Sequence, residues 1–320
     1  MKKDNKLDVV IVGSGIAGIT ALIWCRQLGL NALLIERKHK IGGQLHLVHN
    51  RIKDFPGVNG LTGKEWVEQL EDQMHENKDY ILFGQEVIRV EVLEKEGVII
   101  HYRSPTDRKH QGIGSVLYSS KLIMATGVQD RKLHVPGEER ISPLSTSKDS
   151  YLFKDKRVLI IGGGDRALEG ANRLKNLAEK VILVHRHNRF KARKEYLEAV
   201  RGHERIDICT HTIVESFHSK EDKKKVLLRN LESNRLEKVE VDHVLIRIGI
   251  VPNISLVRDI VNCTDTHIKV DRYGQTTCAD IYAIGDITNI AAYSSISKCV
   301  GEGMVVAKHI WMRLHNEIAL

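Results

Sequence analysis

Aromatic residues make up only 5% of the 320 positions, and the chain has five prolines and five cysteines. With 42% apolar residues, this is the composition of a soluble globular protein long enough for two domains with sizeable cores. The cysteines (Cys25, Cys209, Cys263, Cys278 and Cys299) are scattered. They form no Cys-x-x-Cys and no metal-ligand spacing, so a disulfide framework and a zinc site are both excluded and a reduced, cytoplasmic setting is expected. No cleavable signal pattern follows the charged start Met1-Lys2-Lys3-Asp4. Val9 to Cys25 carries no acid or base, yet three glycines interrupt it, and no other stretch reads as a spanning helix. The shortage of aromatics and the lack of a recognised binding motif argue against nucleic acid as a partner.

Charge of one sign is in excess: 49 basic against 41 acidic residues give a formal +8 and a pI of about 9.1. A basic surface attracts acidic partners and speeds encounter with them. The runs Arg103 to Lys109 and Lys220 to Lys225 sit between alternating, strand-like segments and are expected at solvated hairpin tips.

The chain is organised around Asp8 to Gly18. Here the apolar strand Val9 to Val12 enters a Gly-x-Gly-x-x-Gly turn (Gly13, Ser14, Gly15, Ile16, Ala17, Gly18) that opens a helix. Gly13 permits the tight turn, Gly15 lets the backbone approach a pyrophosphate, and Gly18 lets helix and strand pack closely. The helix start offers N–H groups and a positive dipole end to the phosphates. The second strand, Asn31 to Glu36, ends in a carboxylate about 20 residues past the fingerprint, placed to accept from a ribose hydroxyl.

Further on, Gly42 and Gly43 permit close backbone approach. Gln44 supplies an amide that both donates and accepts, which suits a flavin edge. Thr62 to Gln73 has the periodicity of an amphipathic helix with Trp66, Leu70 and Met74 on one face. Alternation between Tyr80 and Leu117 predicts a small antiparallel meander, followed by a short strand into Ala125-Thr126-Gly127. A second fingerprint follows the strand Val158 to Ile161: Gly162, Gly163, Gly164, Asp165, Arg166, Ala167. Its third glycine is Ala167, which the dinucleotide fold accepts. The next strand, Val181 to Val184, ends in Arg186, His187 and Lys191. No acid lies between Val181 and Arg193, as an adenosine 2′-phosphate requires. Val241 to Ile248 is expected to return the chain to the first domain.

Gly43-Gln44-Leu45, the Asp54-Phe55-Pro56-Gly57 turn, Ala125-Thr126-Gly127, His185-Arg186-His187 and Tyr282-Ala283-Ile284-Gly285-Asp286 together resemble the low-molecular-weight thioredoxin reductases and their ferredoxin/flavodoxin–NADP reductase relatives. The resemblance spans the whole chain. It implies an α/β fold of two dinucleotide-binding, Rossmann-like, three-layer domains, the NADP domain inserted into the FAD domain. The expected boundaries are 1–127 and 249–320 for FAD and 128–248 for NADP. By resemblance, FAD meets the first fingerprint with Glu36, Arg37, Gly43, Gln44, Leu45, Asp54, Val87, Ala125, Thr126, Gly127, Gly285, Asp286 and Ile296. NADPH meets Gly162, Gly164, Asp165, Arg166, Ala167, Arg186, His187 and Lys191. The resemblance also implies a homodimer.

The sequence departs from that pattern in four places. Lys191 and His187 replace arginines of the 2′-phosphate element, and Lys lacks the guanidinium fork. Arg166 stands where the family has a small residue, and either contacts phosphate or crowds it. Tyr293-Ser294-Ser295-Ile296 replaces a Tyr-Arg-Gln-Ala segment, which predicts looser flavin binding. In the register of the redox-active cysteine pair, the sequence has Ser145 and Lys148, with Asp149 retained. Neither a hydroxyl nor an ammonium cycles as a dithiol. Two readings follow. One is an FAD enzyme passing electrons from NADPH to an external acceptor such as ferredoxin or flavodoxin, with Lys148 and Asp149 as tentative catalytic groups. The other is a non-catalytic flavin or nucleotide binder acting as a sensor or partner. Cys299 is read as a packed small residue in the last helix rather than as a substitute thiol.

Overall fold

The computed structural model describes residues 7–58, 60–94, 97–105, 114–220 and 223–316. The chain divides into two compact units, residues 1–129 with 252–320 and residues 130–251, so the second is inserted into the first.

In chain order the first unit begins with β1 (Leu7–Val12), α1 (Ile16–Gln27), β2 (Ala32–Glu36), α2 (Gly63–Gln73), β3 (Ile81–Phe83), β4 (Glu86–Val92), β5 (Val98–Arg103) and β6 (Ser115–Met124). A connecting strand, β7 (Val128–Asp130), leads out of it. The second unit contains β8 (Arg157–Ile161), α3 (Asp165–Leu174), β9 (Lys180–Val184), α4 (Lys194–Val200), β10 (Ile206–Cys209), β11 (Thr212–Lys220), β12 (Lys223–Asn230), β13 (Leu236–Val241) and β14 (His243–Ile246). The chain returns through β15 (Ile250–Pro252), which pairs with β7, and ends with β16 (Ile281–Ala283) and α5 (Ile296–Leu314).

The sheet of the first unit runs β3-β2-β1-β6-β5-β4. β1 is parallel to β2 and β6, and β4, β5 and β6 form an antiparallel meander. β1 alternates into two cores, Val9 and Ile11 on the face covered by helices, Val10 and Val12 on the other. A strand buried on both faces reads as a continuous apolar run, which is why residues 9–12 contain no polar position. Helix α2 is fixed at its start by a capping box: Thr62 Oγ1 accepts from Glu65 N–H while the Glu65 carboxylate accepts from Thr62 N–H. Trp66, Val67, Leu70 and Met74 of that segment are buried.

The second unit has a parallel sheet, β10-β9-β8-β14, and an antiparallel one, β11-β12-β13. Leu168, Ala171 and Leu174 of α3 cover one face of the parallel sheet with Val158 and Val181, while Phe217, Val226 and Leu228 pack with Leu159 and Val184 on the other.

Three expectations need correction. The strand before Ala125 is not short. β6 is one ten-residue strand whose first half pairs antiparallel with β5 and whose second half pairs parallel with β16. Ile81–Phe83 is not part of the meander but pairs parallel with β2. The run from Val241 does not yet return the chain, because His243–Ile246 pairs with β8 as a strand of the second unit's own sheet. Its apolar centre, Val244-Leu245, is buried, as a parallel strand requires. In the two basic runs, residues 106–109 and 221–222 lie outside the described residues. The segments flanking them are β5 and β6 in one case and β11 and β12 in the other.

Candidate functional site: two glycine turns and their surroundings

Each unit carries one fingerprint turn, and the two are built alike. Gly13 has φ +105°, and a Cβ there would lie 2.5 Å from the Ala125 carbonyl oxygen. Gly162 has φ +145°, and a Cβ would lie 2.1 Å from the Arg247 carbonyl oxygen. Both first glycines are therefore obligatory, on conformation as well as on space. At the second glycine of each Gly-x-Gly the opposite holds: a Cβ on Gly15 or Gly164 meets nothing within 4 Å. That open space, beside the first N–H groups of α1 and α3, is where a pyrophosphate fits. The third positions close again. A Cβ on Gly18 would strike the Gly13 carbonyl at 1.9 Å, whereas Ala167 is accommodated and is fully buried.

In the first unit, Glu36 is buried, and its carboxylate accepts from Ser14 N–H (2.8 Å), Ser14 Oγ–H (2.7 Å) and Lys38 N–H (2.8 Å). It holds the fingerprint turn, and a carboxylate with about four acceptor positions still has room for a ribose hydroxyl. The backbone at Gly43 passes so close to the turn that a Cβ would lie 2.9 Å from Gly15 Cα. Gln44 Nε2 donates to Asp286 Oδ2 at 3.1 Å. Asp286 Oδ1 is buried and has no partner. An orphaned carboxylate oxygen there is a polar vacancy that costs stability until a donor fills it. The hydroxyls of a ribityl chain are donors of that kind, so the residues present fit FAD. Thr126 Oγ1 donates to the Asn253 carbonyl and Asn253 Nδ2 to the Thr126 carbonyl, locking the Ala-Thr-Gly turn. Val87 is buried in the core, while Arg37 and Asp54 are exposed.

Helix α5 begins at Ile296, after residues 291–293, which form a separate 3-10 turn. Ser295 caps it, accepting from Lys298 N–H at 3.1 Å. Ile296 is thus the first helical residue, and its N–H is among the free donors of the first turn. Ser294 Oγ is buried and unpartnered. Sequence reasoning missed the support beneath Gly285: its N–H donates to Glu302 Oε2 at 2.7 Å, and Lys298 forms an ion pair with the same carboxylate. The available signal is Glu302 set between two glycines, Gly301 and Gly303, in the last helix.

In the second unit Arg186, His187 and Lys191 are all exposed at the end of β9. His185 lies over the turn, and a Cβ on Gly163 would meet its ring at 2.3 Å. Burial lowers the His185 pKa, and the neighbouring His187, Arg186 and Lys191 add to this against the hydrogen bond to the Arg189 carbonyl. Arg193, which the sequence did not single out, clamps the first turn of α3: its N–H and Nε bond both oxygens of Asp165. Arg166 extends to Asp130, with Nη1 to Oδ1 at 2.7 Å. Arg247 is held by the carbonyls of Leu144 and Ile246. It borders a cavity of about 470 Å³ within this unit, whose lining includes Asp130, Arg131, His134 and Glu138.

The segment in the register of the cysteine pair is a closed turn. Asp149 Oδ2 accepts from Ser145 N–H at 2.7 Å, and Ser145 Oγ accepts from the N–H groups of Ser147 and Lys148 at 3.3 Å. Asp149 therefore has a structural task, and the Lys148 side chain is exposed without a partner among the described residues. All five cysteines are free, and burial pushes Cys25 and Cys299 up to about 12. Among the described residues no group of His, Cys, Asp and Glu is arranged to hold a metal, and no helix is long and apolar enough to cross a membrane.

Residues 7–311 match the pyridine nucleotide-disulphide oxidoreductase family. A thioredoxin reductase of Mycolicibacterium smegmatis is 31% identical over 290 residues, 88% of each chain. A ferredoxin–NADP reductase of Ligilactobacillus salivarius is 24% identical over 90% of this chain and 86% of its own. The thioredoxin reductase structure from Lactococcus lactis superposes with a TM-score of 0.79 at 24% identity, covering 97% of this chain and all of that one, which shows the shared fold. With a family match across nearly its whole length and two fingerprint turns of one construction, the chain belongs to the pyridine nucleotide-disulphide oxidoreductases.

Proposed function

We propose that this oxidoreductase moves electrons from NADPH through FAD to an external acceptor, without a redox-active disulfide. The cofactors are FAD and NADPH. Bound FAD supplies the ability to take a hydride's two electrons together and release them to a one- or two-electron acceptor. The chain's own residues bind and orient it. Glu36 shapes the turn for the adenosine half, Gly15 leaves the pyrophosphate room, and Gln44 and Asp286 hold the flavin half. In the inserted unit Gly164 plays the part of Gly15, with Asp165, Ala167 and the start of α3 beside it. Arg186, His187 and Lys191 meet the 2′-phosphate.

The carrying observation is the buried, unpaired Asp286 Oδ1, on a carboxylate whose other oxygen is bonded by Gln44. Its cost is about 1–3 kcal/mol if nothing fills it, which a bound hydroxyl removes. Ser145 and Lys148 in place of two cysteines, with all five cysteines elsewhere in the chain, support electron exit without a dithiol. The excess of basic residues and the ferredoxin–NADP reductase relative support a small acidic electron carrier as the acceptor. Lys148, free of internal partners, is proposed to act electrostatically in that exchange. The reading also takes the protein to be a cytoplasmic homodimer.

Stopped-flow bleaching of the yellow holoprotein by NADPH tests the proposal. Reduction within the time of a turnover, and reoxidation by ferredoxin or flavodoxin but not by thioredoxin, is the expected result. A protein that stays colourless with added FAD, or a flavin that NADPH does not bleach, would overturn it in favour of a non-catalytic binder.

A further inference from the structure

The first turn of α3 is an unusual place for an arginine. The N-terminus of a ten-residue helix is already the positive end of its dipole, so a cation at its second position is disfavoured. Arg166 occupies that position, and Arg247 lies near enough to add to the repulsion, since the charge of Arg166 disfavours that of Arg247 while Asp130 opposes it. Among the described residues the carboxylate bonded to Arg166 is Asp130, and the pair is half exposed, at 53% and 49%. Asp165 is already engaged with Arg193, which bonds both of its oxygens. Arg166, at a helix N-terminus, thus depends on one half-exposed carboxylate that lines the same cavity as Arg247, and the space at Gly164 beside it is open.

We propose that Asp130 is a built-in competitor for the pyridine nucleotide: its carboxylate stands in for the pyrophosphate at Arg166, and the incoming nucleotide draws Arg166 away from it. The inference rests on the assignment of the second fingerprint to NADPH. It settles which of two roles Arg166 has, since an arginine released from Asp130 reaches phosphate rather than crowding it. It also separates two layers of recognition. Arg186, His187 and Lys191 read the 2′-phosphate and distinguish NADPH from NADH. The Asp130–Arg166 pair reads the pyrophosphate that both nucleotides share, so it sets overall affinity and leaves the preference alone. Because Asp130 ends the connecting strand β7, release of its partner is felt at the first residue of the inserted unit.

The experiment is calorimetric titration of the holoprotein with NADP+ and with NAD+, for the parent, Asp130→Asn, Arg166→Ala and the double variant. The oxidised nucleotides avoid turnover. Asp130→Asn is expected to bind both nucleotides about two- to fivefold more tightly, the range of an exposed ion pair. Arg166→Ala is expected to weaken both by a similar factor, and Asp130→Asn is expected to have a much smaller effect in the Arg166→Ala background. Unchanged affinity in Asp130→Asn overturns the inference, and so does equal tightening with and without Arg166, which would mark Asp130 as a distant field only. A shift confined to NADP+ overturns it as well. A parent that binds neither nucleotide overturns the cofactor assignment and this inference together, whereas a binding parent with unresponsive variants overturns this inference alone.

Discussion

Gln44 and Asp286 lie 242 positions apart in the chain and meet side chain to side chain at 3.1 Å. The contact joins the segment after β2 to the segment after β16, and it leaves the other oxygen of Asp286 pointing into the protein with nothing to accept from. Asp286→Ala is expected to loosen FAD by about tenfold or more, since a hydrogen bond to a charged group contributes about 1.5–3 kcal/mol. Gln44→Ala, which frees Asp286 rather than removing it, should loosen FAD less. Equilibrium dialysis with absorbance at the flavin band measures both, and equal FAD retention in Asp286→Ala and parent would exclude Asp286 from the flavin site.

The exposed cations at the end of β9 lead to a different signature. Arg186→Ala is expected to raise the KM for NADPH about tenfold while the KM for NADH stays near the parent value. Equal losses for both nucleotides would show that Arg186 supports the fold of this segment rather than the 2′-phosphate.

Thiol chemistry should be silent. With Cys25 and Cys299 held near 12 by burial, their thiolate fraction at neutral pH is negligible. Iodoacetamide labelling at pH 7.5, followed by mass spectrometry, is expected to leave both unmodified in the folded protein. Rapid labelling of Cys299, together with thioredoxin reduction, would contradict electron exit without a dithiol.

Acid should destabilise the fold through half-buried histidines. His185, His243 and His309 all have pKa values lowered from 6.5, in each case first by burial. The unfolded chain therefore binds more protons than the native one in the window below about 6.5, so stability rises with pH there. The stability attached to the neutral rings is complete above 6.5 and is lost as pH falls through the lowered native values. A thermal midpoint that drops between pH 7 and pH 5 is expected. A midpoint that does not move would refute the assignment.

The nearly buried ion pair between Lys121 on β6 and Asp280 gives a stability test far from the glycine turns. Asp280 also accepts from Gly97 N–H at 2.7 Å. Lys121→Met removes the ammonium from this carboxylate, which keeps its bond from Gly97, and is expected to cost about 1–3 kcal/mol by chemical denaturation. A loss below about 1 kcal/mol would mean that water replaces the ammonium.

Much of this architecture is legible in the sequence because it depends on local steric rules. Gly13 and Gly162 are visible because no other residue adopts their backbone angles against a carbonyl, and the apolar runs 9–12 and 158–161 are visible because strands covered on both faces contain nothing else. The errors arose where one strand serves two neighbours. Ser115 to Met124 changes from the half-exposed pattern of a meander to the buried pattern of a central strand midway along its length, and this reads as two elements. His243 to Ile246 was read as the returning segment rather than as a strand beside β8, because that neighbour is more than eighty residues earlier. The charge partners Asp130–Arg166 and Asp165–Arg193 were invisible for a similar reason, since side-chain pairing across 28 to 36 positions leaves no periodicity to detect.

The two edges of β6 also dictate an order of assembly during translation. By the time Val251 has left the ribosome, every strand and helix of the inserted unit has been made. The surrounding unit, although started first, still lacks β16 for the second half of β6 and α5 to pack against α1. The inner half of β6, Lys121 to Met124, is almost entirely apolar, and an unpaired apolar edge of this kind recruits other chains. The usual rule that the amino-terminal domain matures first is thus reversed here, and chains broken off between residues 252 and 280 should carry a folded inserted unit and a sticky, half-built first unit.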